Sequence, residues 1–243
     1  MTEPITSRSN PHLKELRKLH DRKHRDRTGL FVAEGEDMLA AALNHGHVPD
    51  TVYFDASVSP VLPDDVERVP VDRDVLASAS SLGSGSRILG VWRQRWANLD
   101  APSLYLHDVA DPGNVGTILR AAEAFGAGQV VLSPQTADPF SPKAVRASMG
   151  AIFGQPVVRA TWQEALAAGR QPVALVPGEG TVLRELPMPE LPLFVLGAER
   201  LGLPPEIVAA CDEVARIPVH ADSLNVAMTA TLCLYEYRAR SDA

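Results

Sequence analysis

The chain has 243 residues, 45% of them apolar and 22% charged, with a formal charge of −7. This composition excludes wholesale disorder and low complexity, and no apolar run approaches the ~20 residues that a membrane-spanning helix needs. The opening stretch MTEPITSRSN carries no apolar core of a secretory signal, and Cys211 and Cys233 stand in no metal-type spacing, so a cytoplasmic, metal-free protein with reduced thiols is expected.

The net charge hides an asymmetry. Residues 1–30 hold eight Lys/Arg against four Asp/Glu, whereas residues 31–243 hold fifteen against twenty-six. A basic arm on an acidic body points to a polyanion contacted at one end. Asn10-Pro11 is a good helix opening, because Asn caps and Pro suits the first helical position. Leu13, Leu16 and Leu19 then share a face, Arg17, Lys18, Arg22, Lys23 and Arg25 spread over the rest, and Gly29 closes the segment. His20 and His24 are four apart on this helix and are expected to be solvated or satisfied rather than metal ligands. A second helix is expected at about Glu36–Leu43, followed by strands near Thr51–Phe54 and Arg87–Trp92, with Ser80–Ser86 as a polar loop before the latter.

Residues 94–102 are polar and strand-free, which places a domain boundary there and divides the chain into residues 1–98 and 99–243. Beyond it, strand-like runs at Ser103–Leu106, Gln129–Leu132, Pro172–Val176, Pro192–Leu196 and Val214–Pro218 alternate with helical ones. The helical stretches are Val115–Phe125, Pro142–Met149, Trp162–Ala168, Pro205–Ala210 and Leu224–Arg238. Such alternation predicts an α/β fold with an open, mostly parallel sheet, whose ligands bind beyond the carboxyl ends of the strands. The loops after Leu106, Leu196 and Pro218 are therefore the candidates. Gly113 and Gly116 follow a strand but are spaced G-x-x-G, and Gly83-Ser-Gly85 precedes one, so a dinucleotide-dependent oxidoreductase is poorly supported.

Each candidate loop has a plain structural reading beside a functional one. In His107–Arg120, Asn114 sits where it can cap a helix, and Arg120 lies about a turn and a half further on. In Leu196–Pro205, Glu199 stands between two glycines at the end of an apolar strand, next to Arg200. In Ile217–Ala230, Ser223 is placed to cap the last helix, a role that leaves the polar Asn225 unexplained.

Taken in order, these loops resemble the SpoU family of RNA ribose methyltransferases. Asp-Pro-Gly-Asn114-Val-Gly-Thr-Ile-Leu-Arg120 is similar to its first motif, Leu-Gly197-Ala-Glu199-x-x-Gly202-Leu to its second, and Ile217-Pro218 with Ser223-Leu-Asn225-Val to its third. Lys143-Ala-Val-Arg146-Ala-Ser-Met-Gly150-Ala between them is also typical. Phe31-Val-Ala-Glu34-Gly-Glu resembles a small α/β RNA-binding domain, akin to a large-subunit ribosomal protein, that many members carry in front. The third motif departs from the family pattern, being about two residues short and without a glycine at His220-Ala-Asp222.

The resemblance implies transfer of a methyl group from S-adenosyl-L-methionine to a ribose 2′-hydroxyl in rRNA or tRNA, with rRNA favoured. It implies a C-terminal trefoil knot, a rare exception to the rule against knotted chains, and a homodimer. It assigns Asn114, Arg120, Glu199, Ser223 and Asn225 to catalysis and Leu196, Gly197, Ile217 and Leu224 to the cofactor. Arg17, Lys18, Arg22, Lys23, Arg25, Lys143 and Arg146 are the expected RNA contacts. A catalytically inactive RNA-binding protein of the same fold is the alternative, and the short third loop is its support.

Overall fold

Asn10 accepts a hydrogen bond from the His12 backbone N–H and opens helix α1, Pro11–Lys18, with Pro11 in the first turn. Leu13, Leu16 and Leu19 are all buried, as their spacing predicts. The helix does not run on to Gly29. A turn intervenes at Leu19–Asp21, and the Asp21 carboxylate accepts from His24 N–H to start a second helix, α2, Arg22–Thr28. Asp21, two residues after the buried Leu19, caps better than it continues a helix. Gly29 ends α2 at φ 67°, a left-handed conformation that glycine takes without strain. This computed structural model describes residues 3–82 and 85–241. Gly83 and Ser84 of the expected polar loop, and Met1 and Thr2 of the opening stretch, lie outside them.

Strand β1, Leu30–Glu34, follows, then α3, Glu36–Asn44, β2, Thr51–Asp55, β3, Glu67–Val71, α4, Arg73–Ala77, and β4, Ile88–Arg93. These strands form a sheet in the order β1-β4-β2-β3, antiparallel except for β2 with β3. Sequence patterning does not mark β3: it contains Pro70, has little apolar content and lies at an edge, where a missing N–H is tolerated. Next come β5, Pro102–Leu106, α5, Pro112–Ala124, β6, Gln129–Leu132, and α6, Pro142–Ser148, with a 3₁₀ turn at Ala151–Phe153. The chain continues through β7, Val157–Arg159, α7, Trp162–Ala167, β8, Gln171–Leu175, β9, Thr181–Val182, and β10, Pro192–Leu196. It closes with α8, Pro205–Ala209, β11, Glu213–Arg216, and α9, Val226–Ser241. Strands β7 and β9, three and two residues long, are too short to show a period.

The chain divides into two compact units. The first comprises residues 1–94 and 138–154, the second residues 95–137 and 155–243. Segment 138–154, read from sequence as part of the C-terminal half, thus packs inside the first unit. Its Phe140 and Phe153 rings meet Phe31 at 5.0 and 5.9 Å, and Phe153 meets Trp92 at 5.1 Å. Trp92 is fully buried, and its indole N–H donates to the His47 carbonyl, which satisfies the ring's one donor.

In the second unit, seven strands run in the order β7-β6-β5-β10-β8-β11-β9, and every pairing is parallel. The sheet is therefore more uniformly parallel than the sequence pattern required. Helix α5 packs against α9. No described helix is long and apolar enough to cross a membrane.

Candidate active site

The loop after β5 is pinned before it reaches α5. Asp108 adopts φ 55°, unusual for a residue with a side chain. Ser133 after β6 holds it there: the Ser133 hydroxyl donates to Asp108 Oδ1 at 2.6 Å and accepts from Asp108 N–H at 2.9 Å. Asp111 then caps α5, accepting from Gly113 N–H at 2.7 Å. The capping role that the sequence allowed Asn114 is thus filled by Asp111, and the Asn114 amide is released for other partners.

It finds them on both other candidate loops. Asn114 Nδ2 donates to Glu199 Oε1 at 2.8 Å, and Asn225 Nδ2 donates to Asn114 Oδ1 at 3.0 Å. Glu199 also accepts from the backbone N–H groups of Ala110, at 3.1 Å, and Asp111, at 3.2 Å. Partial burial raises the Glu199 carboxyl pKa, but the bonds from Asn114 and the backbone outweigh it and hold the group below its ordinary value. The carboxylate is charged at neutral pH, and it ties the loops after β5 and β10 together.

Asn225 corrects the second capping expectation. Its Oδ1 accepts from Ala227 N–H at 2.9 Å and Met228 N–H at 3.3 Å, so Asn225, not Ser223, caps α9. One amide can serve both ends because its carbonyl faces the helix and its NH₂ faces Asn114. Ser223 is exposed two residues earlier. Arg120 is exposed on α5 and makes no hydrogen bond or ion pair with any described residue. Arg200 forms no ion pair with Glu199 among the described residues.

A cleft of about 670 Å³ opens beside this chain of bonds, within the range of small-molecule sites. Leu196, Gly197, Ile217 and Leu224 all line it, together with Glu199, Ser223 and Asn225. Gly197 permits a tight approach: a Cβ there would stand 2.2 Å from the Gly202 carbonyl carbon. The turn is closed by Gly202 N–H donating to the Ala198 carbonyl at 2.9 Å. A third wall, Val176–Gly178 after β8, escaped the sequence reading, although Pro177-Gly178 behind an apolar strand marks a loop at the same end of the sheet.

Comparison with known proteins gives this geometry its context. Residues 102–235 match the SpoU rRNA Methylase family, and residues 10–90 match the MRM3-like substrate binding domain. The chain belongs to the SpoU family. It is 30% identical to the 23S rRNA (guanosine(2553)-2'-O)-methyltransferase RlmP of Bacillus subtilis over 96% of this chain and 98% of that protein. Among solved structures, the AdoMet-bound rRNA methyltransferase of Sinorhizobium meliloti matches with a TM-score of 0.86 and 32% identity, covering 98% of each chain. The SpoU methyltransferase AviRb of Streptomyces viridochromogenes, in complex with AdoMet, matches with a TM-score of 0.83 and 25% identity, covering 96% of this chain and 99% of that one.

The donor set of the cleft suits the cofactor of those SpoU structures. Among the described residues, no backbone N–H of Ile217–Leu224 is hydrogen bonded within the chain, so this loop has donors to offer. The apolar Leu196, Leu203 and Val226 supply the rest of the lining.

The expected RNA contacts fare unequally. Lys18 and Arg22 are exposed and, among the described residues, paired only with neighbours on the surface, Glu15 at 2.6 Å and Asp26 at 3.6 Å, and Lys23 is exposed. Arg17 is half-buried and donates to the Arg8 carbonyl. Lys143 and Arg146 are exposed on α6. Arg25 is a correction: it is 2% exposed, donates from Nε and Nη2 to Asp138 Oδ2 at 2.9 and 2.6 Å, and from Nη1 to the Leu19 carbonyl. A guanidinium satisfied in this way is a strut of the first unit and is closed to RNA.

Proposed function

We propose that this protein methylates a ribose 2′-hydroxyl in rRNA, using S-adenosyl-L-methionine bound in the cleft at the ends of β8, β10 and β11. The observation that carries the reading is the hydrogen-bonded chain Asn225–Asn114–Glu199, which joins all three family motifs at the mouth of that cleft. When bound, the cofactor supplies an activated methyl group on a sulfonium, already a good leaving group. The protein's work is then alignment, which is worth up to roughly 7–11 kcal/mol, and easing the loss of the hydroxyl proton. Backbone groups of Leu196, Gly197, Ile217 and Leu224 hold the cofactor. Glu199 and Asn225 fix Asn114, and Ser223 positions the ribose or the cofactor's tail. Arg120 has no partner among the described residues, so its cation is available to bind RNA phosphate and lower the cost of a 2′-oxyanion. A guanidinium keeps its proton in proteins, which favours this electrostatic role over that of a general base.

The same reading extends to the finer features. Residues 99–243 act as the methyltransferase domain and residues 1–98 as the RNA-binding one, with Lys18, Arg22, Lys23, Lys143 and Arg146 on phosphates. A trefoil knot is supported by the strand order, since β10 returns between β5 and β8, and β11 between β8 and β9. A homodimer is supported by Met228, Leu232 and Tyr235, exposed at helical spacing along α9. The protein would work in the cytoplasm. The inactive RNA-binding alternative is not favoured, because the bonding of Asn114, Glu199 and Asn225 persists despite the short third loop.

The test is methyl-labelled S-adenosylmethionine offered with unmodified rRNA and tRNA pools, the label then being mapped by nuclease digestion. Label on a ribose 2′-oxygen of rRNA is the expected result. No label in either pool, with no cofactor binding, would overturn the reading. Arg120→Ala should abolish turnover and leave cofactor affinity intact by calorimetry; an active variant would remove Arg120 from the machinery.

A further inference from the structure

The first unit contains a second cavity, of about 210 Å³, to which nothing above assigns a role. Its walls are the end of β1, the first turn of α3, residues Ser81 and Leu82, and the α6 face that carries Pro142, Val145, Arg146 and Met149. Val32, Met38, Leu82, Val145 and Met149 make most of the wall apolar. Met149, at φ 50°, lines the cavity while 58% exposed, which places it at the rim.

The polar groups at the cavity are unequal. Glu34 is used up holding the wall: its carboxylate accepts from the Ser81 N–H at 2.7 Å and from the hydroxyls of Ser80 and Ser81. Glu36 accepts two bonds from Arg87, at 3.1 and 2.9 Å. Asp37 makes no hydrogen bond or ion pair with any described residue, and neither does Arg146. The site therefore offers a mostly apolar cavity, one uncommitted carboxylate and one uncommitted guanidinium.

We propose that this cavity takes an unstacked guanine base of the substrate RNA. Single-stranded bases are read by stacking and by hydrogen bonds to their Watson–Crick edge. Guanine alone presents two adjacent donors there, N1–H and the N2 amino group, which match the two oxygens of Asp37. Adenine and cytosine place a ring-nitrogen acceptor beside their amino group, and uracil flanks its N3–H with two carbonyls, so each sets a lone pair against the carboxylate. Met38 and Met149 would pack on the faces of the ring, since methionine adapts to flat surfaces. Arg146 would take the adjoining phosphate, for which its fork geometry is suited. The proposal deepens the RNA-methylating reading and rests on it for the source of the base.

The test uses the full chain labelled at its methionine methyl groups with carbon-13. Met38 and Met149 report on the cavity, and Met188 and Met228 serve as internal controls. Guanosine, inosine, adenosine, cytidine and uridine 5′-monophosphates are titrated in turn. Saturable shifts of Met38 and Met149 with the guanosine nucleotide are expected, weaker with inosine, which lacks the N2 amine, and weakest with the other three. Asp37→Asn should weaken guanosine binding by about tenfold or more, as loss of a bidentate base contact does, and Arg146→Ala should weaken binding of all nucleotides alike. Absence of saturable shifts, or equal shifts with every base and no response to Asp37→Asn, would overturn the proposal. Methyl transfer to rRNA and cofactor affinity are measured on the same preparations. A wild-type chain that binds guanosine but methylates nothing fails the proposed function and not the cavity. A wild-type chain that methylates normally, with Asp37→Asn unaltered in RNA affinity, fails the cavity alone.

Discussion

Two side chains show how a residue's partners decide its role. Glu199 and Arg25 are both charged residues, yet one belongs to the site and the other to the core. Glu199 receives three hydrogen bonds that favour its charged form, so its folded pKa lies below the ordinary 4.5. A depressed carboxylate contributes stability that is complete above its unfolded pKa and is lost as pH falls through the folded value. The difference in stability between the wild type and Glu199→Gln should therefore shrink below about pH 4.5, as read by denaturant titration at several pH values. Its size will be modest, because the carboxylate is largely exposed. Arg25 is the opposite case. Arg25→Ala would leave Asp138, 7% exposed, as an uncompensated charge in the first unit. Such a loss costs about 3–5 kcal/mol. A fall in the unfolding midpoint without any change in the salt dependence of RNA binding is the expected signature.

At the scale of elements, the helices divide the labour of binding. Helices α1 and α2 carry the basic residues, but only those facing away from Leu13, Leu16 and Leu19 remain open to phosphate. Replacing Arg22 and Lys23 together by glutamine should reduce the salt slope of RNA binding by roughly 1.4–1.8, at 0.7–0.9 per phosphate contact. An unchanged slope, measured by filter binding across a salt series, would mean that α2 faces elsewhere. Helix α9 joins two roles along one length. Its amino end is capped by Asn225, whose other atom holds Asn114, so starting the helix and setting the site are one act. Further along, Ala227, Ala230, Cys233 and Leu234 are buried while Met228, Leu232 and Tyr235 are exposed. An exposed apolar stripe of this kind marks a surface suited to a partner. If the proposed homodimer forms through this stripe, Leu232→Glu should abolish the self-association seen in light scattering, with the helix itself intact by circular dichroism.

At the scale of the molecule, the parallel sheet explains where the cleft must lie. Strands β8, β10 and β11 are neighbours although they are not consecutive in the chain. Their following loops therefore meet at one end of the sheet, as open α/β sheets require. The alternation of strand-like and helical runs after residue 102 was sufficient to predict that sheet, and the motif residues sufficed to name the family. Apolar periodicity also marked the buried face of Leu13, Leu16 and Leu19, and the capping power of Asn10 and Gly29. These are local properties, written in residues a few positions apart. What the sequence left open was which of several near or distant partners each polar group takes. Asn114 and Ser223 both looked like caps, and only the neighbouring Asp111 and Asn225 show which residues fill those positions. Arg25 looked like one more basic residue of an RNA-facing helix until Asp138, 113 residues away, was seen to neutralise it. For the same reason the sequence does not point to the loop after β8, and it reads segment 138–154, which packs in the first unit, as part of the C-terminal half. Helix and strand periods are set by the backbone and can be read locally, whereas which polar group satisfies which is settled only when folding brings them within hydrogen-bonding distance.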